Sequence, residues 1–183
     1  MPRIAPIDPS NADARAKPLL DAVRKKLGLT PNMMKTMATS PAVLKAYLDF
    51  GGALGSASIS GRTQELIALA VAEANECEYC LSAHTAVGAL YKIPAHELDA
   101  ARDTDSNDVK TAAMLRFARL VVDARGRVSD ADVAALRSAG TSDAELAELV
   151  AITALNVFTN LFNNVARTDV DFPRVSPRLA AAA

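Results

Sequence analysis

Between one stop signal and the next, the apolar residues of this chain recur every three or four positions, and nowhere do they alternate with polar ones over a strand's length. Residues three and four apart share one face of a helix, whereas a half-buried strand needs a period of two, so the pattern restricts the chain to helices. A helix is expected from about Asp13 to Leu27, with Leu19, Leu20, Val23 and Leu27 on one face and Gly28 as its stop. Thr30-Pro31-Asn32 and Ser40-Pro41 each read as proline at a first helical position. They open one short helix through Met33, Met34 and Met37, whose thioethers read as gap-filling core, and another through Val43, Leu44, Tyr47, Leu48 and Leu54. Ser60 caps a helix over 61–74 that is apolar through Leu66, Ile67, Leu69, Ala70 and Val71, and Asn75 stops it. Another follows from Glu76 or Cys77 to about Tyr91, and a short one spans 94–102. Then come an amphipathic helix over 108–125, one capped by Ser129 that ends near Ser138, and a long apolar one over 143–167.

The prediction is therefore an all-α fold of seven to nine helices in a single domain over residues 1–183. That length suffices for one hydrophobic core. The composition is half hydrophobic with only 4% aromatics, which favours helices packed closely through small side chains. Met1 to Asn11 holds three prolines and reads as an extended arm, and 173–183 reads as a loose tail. Twenty Lys and Arg oppose 21 Asp and Glu, and no block of like charge offers a surface for nucleic acid or an anionic membrane. The longest continuous apolar run, Leu66 to Ala72, is too short to span a bilayer, and the N-terminus lacks the apolar run of a signal peptide. A cytoplasmic, soluble protein is expected.

The chain's two cysteines, Cys77 and Cys80, cannot form a disulfide scaffold, and in a reducing compartment a close pair is redox-active or metal-binding more often than structural. If Cys77 opens a helix, then Cys77, Cys80 and His84 fall at i, i+3 and i+7 on one face. Side chains three apart on a helix have Cβ atoms about 5–6 Å apart, beyond the relaxed disulfide span of about 3.5–4.5 Å. A bond between them closes with strain, which makes it oxidising. The helix N-terminus favours a thiolate, and His84 titrates near neutral pH. Glu65, on the preceding helix, is a candidate base if the two helices pack antiparallel; Glu73, Glu76 and Glu78 would oppose ionisation if they faced the thiols. A zinc site would need His96 in addition to His84, a c-type haem site would need histidine where Leu81 stands, and a thioredoxin site would need a βαβ context. Asn156, Asn160, Asn163 and Asn164 form a polar stripe on an apolar helix, read as pocket-lining, interfacial or surface-exposed.

Glu65, eleven intervening residues, and then Cys77-Glu78-Tyr79-Cys80-Leu81-Ser82-Ala83-His84 resemble the signature of the alkylhydroperoxidase D and carboxymuconolactone decarboxylase superfamily, in its cysteine-bearing, peroxidase-related branch. The similarity runs from Gly28-Leu29-Thr30-Pro31-Asn32 to the Asn156–Asn160 segment. It implies an all-helical bundle and reduction of hydroperoxides without haem, metal or other cofactor. By the same resemblance Cys80 is peroxidatic, Cys77 is resolving, and Glu65 and His84 relay protons. The implied partners are a hydroperoxide, an external dithiol of lipoyl or thioredoxin type, and further copies of the chain in a dimer, trimer or hexamer. The best-known alkylhydroperoxidase has histidine between its cysteines, where this chain has Tyr79. The cysteine pair argues against the decarboxylase branch, which does not depend on it. Two further readings remain: a thiol-based redox sensor with little turnover, and a small zinc domain.

Overall fold

A computed structural model of the chain describes residues 1–178. Among these residues there are nine α-helices, a short 3-10 turn at Pro9–Asn11 and no strand. The helices are α1 (Ala16–Leu27), α2 (Asn32–Met37), α3 (Pro41–Leu54), α4 (Gly61–Ala74), α5 (Glu78–Leu90), α6 (Ala95–Arg102), α7 (Val109–Asp123), α8 (Asp130–Ser138) and α9 (Asp143–Ala166).

Their ends follow from local chemistry. Ser60 accepts the Thr63 N–H at 3.2 Å to start α4, and Asp108 accepts the Thr111 N–H at 2.7 Å to start α7. Ser129 with Asp132, and Ser142 with Glu145, form capping boxes that open α8 and α9. Gly28 closes α1 in the left-handed region at φ 77°, where a Cβ would be strained. Pro41 occupies the first turn of α3, but Pro31 lies one residue outside α2, contrary to expectation. The Asp171 carboxylate accepts the Asn32 N–H at 2.7 Å, so the first helical position falls to Asn32 and Pro31 stays extended.

Helix α4 sits at the centre, packed against α5, α6, α7 and α9. It is buried without interruption from Leu66 to Glu73, which explains why its apolar residues surround the helix rather than forming a stripe. Ile67, Leu69, Leu115 and Leu149 are fully enclosed; burying each such side chain contributes about 1.5–3 kcal/mol. By length and composition α9 could cross a membrane, with a mean hydropathy of 1.3. Here it is the bundle's long core helix, and its Thr153, Asn156, Thr159, Asn160 and Asn163 point inward.

The arm at 1–11 is held by Arg3 and Ile7, whose N–H groups donate to Ala166 O at 2.7 Å and Lys35 O at 3.1 Å. Expected to be loose, the C-terminal segment is instead docked from 173 to 178; residues 179–183 lie outside the described part. The Val175 N–H donates to Ser82 Oγ at 2.9 Å, the Arg178 N–H to Glu73 at 2.6 Å, and Arg102 to Ser176 O at 2.8 Å. Backbone donors and a buried carboxylate hold this strand-free tail, and neither leaves a periodic signal.

Candidate active site

The α4–α5 hairpin positions every candidate residue. Helix α4 ends in a Schellman turn: the Glu76 N–H returns to Glu73 O at 3.1 Å, and the Cys77 N–H to Ala72 O at 3.0 Å. Glu76 takes the left-handed conformation (φ 50°) usually given to glycine. Cys77 is therefore the residue that leaves α4 and also the N-cap of α5, extended at φ −93° and ψ 94° rather than inside the helix. Its Sγ accepts the Cys80 N–H at 3.4 Å. Because the turn folds α5 back along α4, Glu65, ten residues before Asn75, meets His84, nine residues after it. Glu65 Oε2 and His84 Nδ1 lie 2.8 Å apart. A carboxylate only accepts, so Nδ1 carries the hydrogen and Nε2 is left as the nitrogen that gives or takes a proton.

Both thiols are free and buried. Burial pushes the Cys80 thiol up. Hydrogen bonding from Cys77, the His84 charge and the amides of Asn163 and Asn160 outweigh it and bring Cys80 down to about 6. Cys77 moves the other way, raised by its hydrogen bond to Cys80, by burial and by the charge on Cys80. The pair releases its first proton from Cys80 and keeps the second on Cys77. Burial lowers His84, but the Glu65 charge and hydrogen bond and the Cys80 thiolate raise it above its ordinary value. The acidic neighbours do not interfere. Glu73 pairs with Arg102 at 2.7 Å, Glu78 pairs with Arg174 at 2.9 Å, and Glu76 is exposed.

Cys80, Glu65 and His84 line a cavity of about 570 Å³, walled mainly by apolar residues such as Leu27, Met34, Leu48, Val87, Ile152 and Leu155. Cys77 lies outside that lining. The cavity thus offers one sulfur to a ligand and keeps the other behind it. Among the described residues no group of three His, Cys, Asp or Glu side chains is placed to hold a metal ion, and His96 is exposed on α6.

Two contributors escaped the sequence reading as site residues, and a third was read only as one member of a polar stripe. Tyr47 of α3 lines the cavity, its phenol pushed up to about 12 by burial and by the Cys80 and Glu65 charges, so that it keeps its proton. Met33, read as core filler, lines the cavity too, and its Sδ lies 3.1 Å from Asn163 Nδ2. Asn163, one of the striped asparagines, places the same nitrogen 3.3 Å from Cys80 Sγ. The stripe divides: Asn156, Asn160 and Asn163 are buried, while Asn164 is exposed and donates to Asn75 O at 2.9 Å. Tyr79 anchors α5 to α2, its hydroxyl accepting the Met33 N–H at 3.1 Å and its ring meeting Phe172 edge-on at a centroid distance of 5.8 Å.

The model of the carboxymuconolactone decarboxylase family matches residues 41–124, a span that holds Tyr47, Glu65, both cysteines and His84. The structure of an uncharacterized peroxidase-related protein from Ralstonia eutropha JMP134, described as an alkylhydroperoxidase AhpD core, is similar at a TM-score of 0.83 and 27% identity over 93% of this chain and 92% of that one. Over residues 41–124 the chain is similar to the carboxymuconolactone decarboxylase family, and its fold is AhpD-like. Two other structures share the AhpD-like fold. A peroxidase-related protein from Silicibacter sp. TM1040 reaches a TM-score of 0.81 at 24% identity, covering 92% of this chain and 91% of its own. The debrominase Bmp8, solved with 2,3,4-tribromopyrrole, reaches 0.77 at 20% identity over 92% and 91%. No curated protein is similar enough to match. The all-helical AhpD-like bundle is thus shared, while the proteins that carry it differ in the chemistry their names describe.

Proposed function

We propose that the protein is a soluble, cytoplasmic, cofactor-free thiol peroxidase that reduces organic hydroperoxides. The observation that carries the reading is the division of labour between the sulfurs: Cys80 lines the cavity and ionises first, and Cys77, against its N–H at 3.4 Å, stays a thiol outside the lining.

The Cys80 thiolate attacks the terminal oxygen of the hydroperoxide, and the O–O bond breaks. The departing alkoxide takes a proton from His84 and leaves as the alcohol, while Cys80 becomes a sulfenic acid. Cys77 sulfur then displaces the hydroxyl, which leaves as water with the Cys77 proton, and the disulfide closes. An external dithiol, of lipoyl or thioredoxin type, exchanges with that disulfide and is itself oxidised. Glu65 keeps His84 oriented throughout and favours its protonated form before the transfer. Lactone decarboxylation has no use for one sulfur at the cavity with a second behind it, which supports the peroxidase branch.

The exposed apolar residues Val150, Phe158, Leu161 and Val165 along α9 support a homo-oligomer of two, three or six chains. One observation favours the sensor reading: both thiols are at least 98% buried, which slows exchange with a protein reductant. Steady-state assays with cumene hydroperoxide and dihydrolipoamide separate the two. Sustained turnover that Cys80→Ser abolishes, with the helical circular dichroism unchanged, is expected. Undiminished turnover in Cys80→Ser refutes the peroxidase, and a single oxidation without recycling favours the sensor.

A further inference from the structure

The asparagines of α9 are too well buried for the part that packing gives them. Asn163 is 3% exposed and Asn160 is fully buried, on a helix where leucine would fill the same space without polar atoms. Asn160 Oδ1 accepts from Asn75 Nδ2 at 3.0 Å, which fixes its orientation and leaves its Nδ2 with no close partner and only the Cys80 sulfur to act on. Asn163 Oδ1 is likewise unpaired. Buried orphans of this kind are rare, and each calls for an explanation in what the residue does. The partners of Asn163 Nδ2 are two sulfurs, Cys80 Sγ at 3.3 Å and Met33 Sδ at 3.1 Å. A thioether and a thiol are both weak acceptors, so in the protonated state this amide is poorly served. A thiolate is a strong acceptor, and its hydrogen bond to the same N–H is charge-assisted.

We propose that Asn163 is a catalytic residue, a dedicated N–H donor that holds the Cys80 sulfur as thiolate and aims it into the cavity, with Asn160 one turn earlier as its support. The charged and titratable groups around the sulfur are Cys77 at the N-cap of α5, Tyr79 and His84 on α5, Glu65 on α4 and Tyr47 on α3. Among them only His84 brings a positive charge. The amide acts beside it at fixed geometry, and its donation does not itself titrate. The lowering that Asn163 and Asn160 exert on Cys80 accords with this assignment.

The test reads thiol ionisation rather than turnover, so its failure is distinguishable from failure of the peroxidase reading. The rate of Cys80 alkylation by iodoacetamide is followed against pH by peptide mass spectrometry in the wild type, Asn163→Leu and Asn163→Asp. The midpoint is expected to rise by at least one pH unit in Asn163→Leu and further in Asn163→Asp, each unit meaning about tenfold less thiolate below the midpoint. A purely structural role would lower the melting temperature and leave the midpoint in place, and that result overturns the proposal. The wild type provides a second measurement in which folding is not at issue. The Asn163 side-chain N–H resonance, assigned by its loss in a selectively labelled sample of Asn163→Asp or by through-bond correlation, is expected to move downfield with the Cys80 titration. A resonance that stays fixed through that titration overturns the proposal equally.

Discussion

Replacing Glu65 with glutamine removes one charge and almost no volume, and the structure bounds what that can do. Glu65 pairs with His84 at 2.8 Å and raises its pKa, and the His84 charge is among the factors that bring Cys80 to about 6 from the ordinary 9.0. At pH 7 a thiol titrating at about 6 is about nine-tenths ionised, and one titrating at 9.0 is about one-hundredth ionised. The whole environment of Cys80 is therefore worth about ninety-fold in thiolate at that pH. Glu65→Gln weakens the part that passes through His84, so Cys80 alkylation at pH 7 should slow by about tenfold. The sign follows from the two shifts. Thiolate forms as pH rises through about 6, and the protonated His84 is lost as pH rises through a value held above its ordinary 6.5, so activity is bell-shaped between them. Glu65→Gln moves the alkaline limb down and the acid limb up, and the bell narrows. Alkylation followed from pH 5 to pH 10 reads the first effect, and hydroperoxide turnover reads the second. At pH 10 both proteins are ionised, and their alkylation rates should converge. A slowing of equal size at pH 7 and pH 10 would refute the electrostatic reasoning, as would an unmoved midpoint.

Arg102→Met should be the most damaging of the surface-proximal changes, because it leaves the Glu73 carboxylate, only 5% exposed, without its cation at 2.7 Å. Breaking such a buried pair costs about 3–5 kcal/mol, or a melting temperature lower by roughly 6–20 °C. The double variant Glu73→Gln/Arg102→Met should recover most of that loss, and a single variant melting within about 2 °C of wild type contradicts the assignment. Val87→Phe adds bulk to the wall of the cavity of about 570 Å³. It should raise KM for cumene hydroperoxide by roughly tenfold and leave hydrogen peroxide turnover within about twofold, whereas an equal loss for both would place the substrate elsewhere.

What could be read in advance is what local chemistry decides. Ser60 and Ser129 announce helix starts because a hydroxyl ahead of an apolar run has few other uses, and the observed helices begin there. The antiparallel encounter of Glu65 with His84 needed only a turn near Asn75 between two helices. The turn itself was less legible, since the left-handed position is filled by Glu76 and not by glycine. The left-handed turn at Glu76 places Cys77 at the cap of the next helix, where its Sγ accepts the Cys80 N–H. The α9 amides were visible as a stripe, but the approach of Asn163 to Cys80 joins residues far apart in sequence through tertiary packing alone. Tyr47 and Met33 look like ordinary core residues in any periodicity reading. The docking of 173–178 depends on backbone N–H groups, which every residue except proline possesses and which therefore mark no residue in particular.

The central claim is that Cys80 is oxidised at the cavity and Cys77 resolves it. Its most direct measurement is mass spectrometry of the peptide carrying both cysteines, taken before hydroperoxide, after one equivalent, and after a dithiol is added. The expected sequence is two free thiols, then a loss of two hydrogens as the Cys77–Cys80 disulfide forms, then full recovery of the thiols. In Cys77→Ser the same treatment should leave Cys80 as a trappable sulfenic acid. A peptide whose thiols survive hydroperoxide unchanged, or a sulfenic acid found on Cys77 in Cys80→Ser at the wild-type rate, would contradict the account.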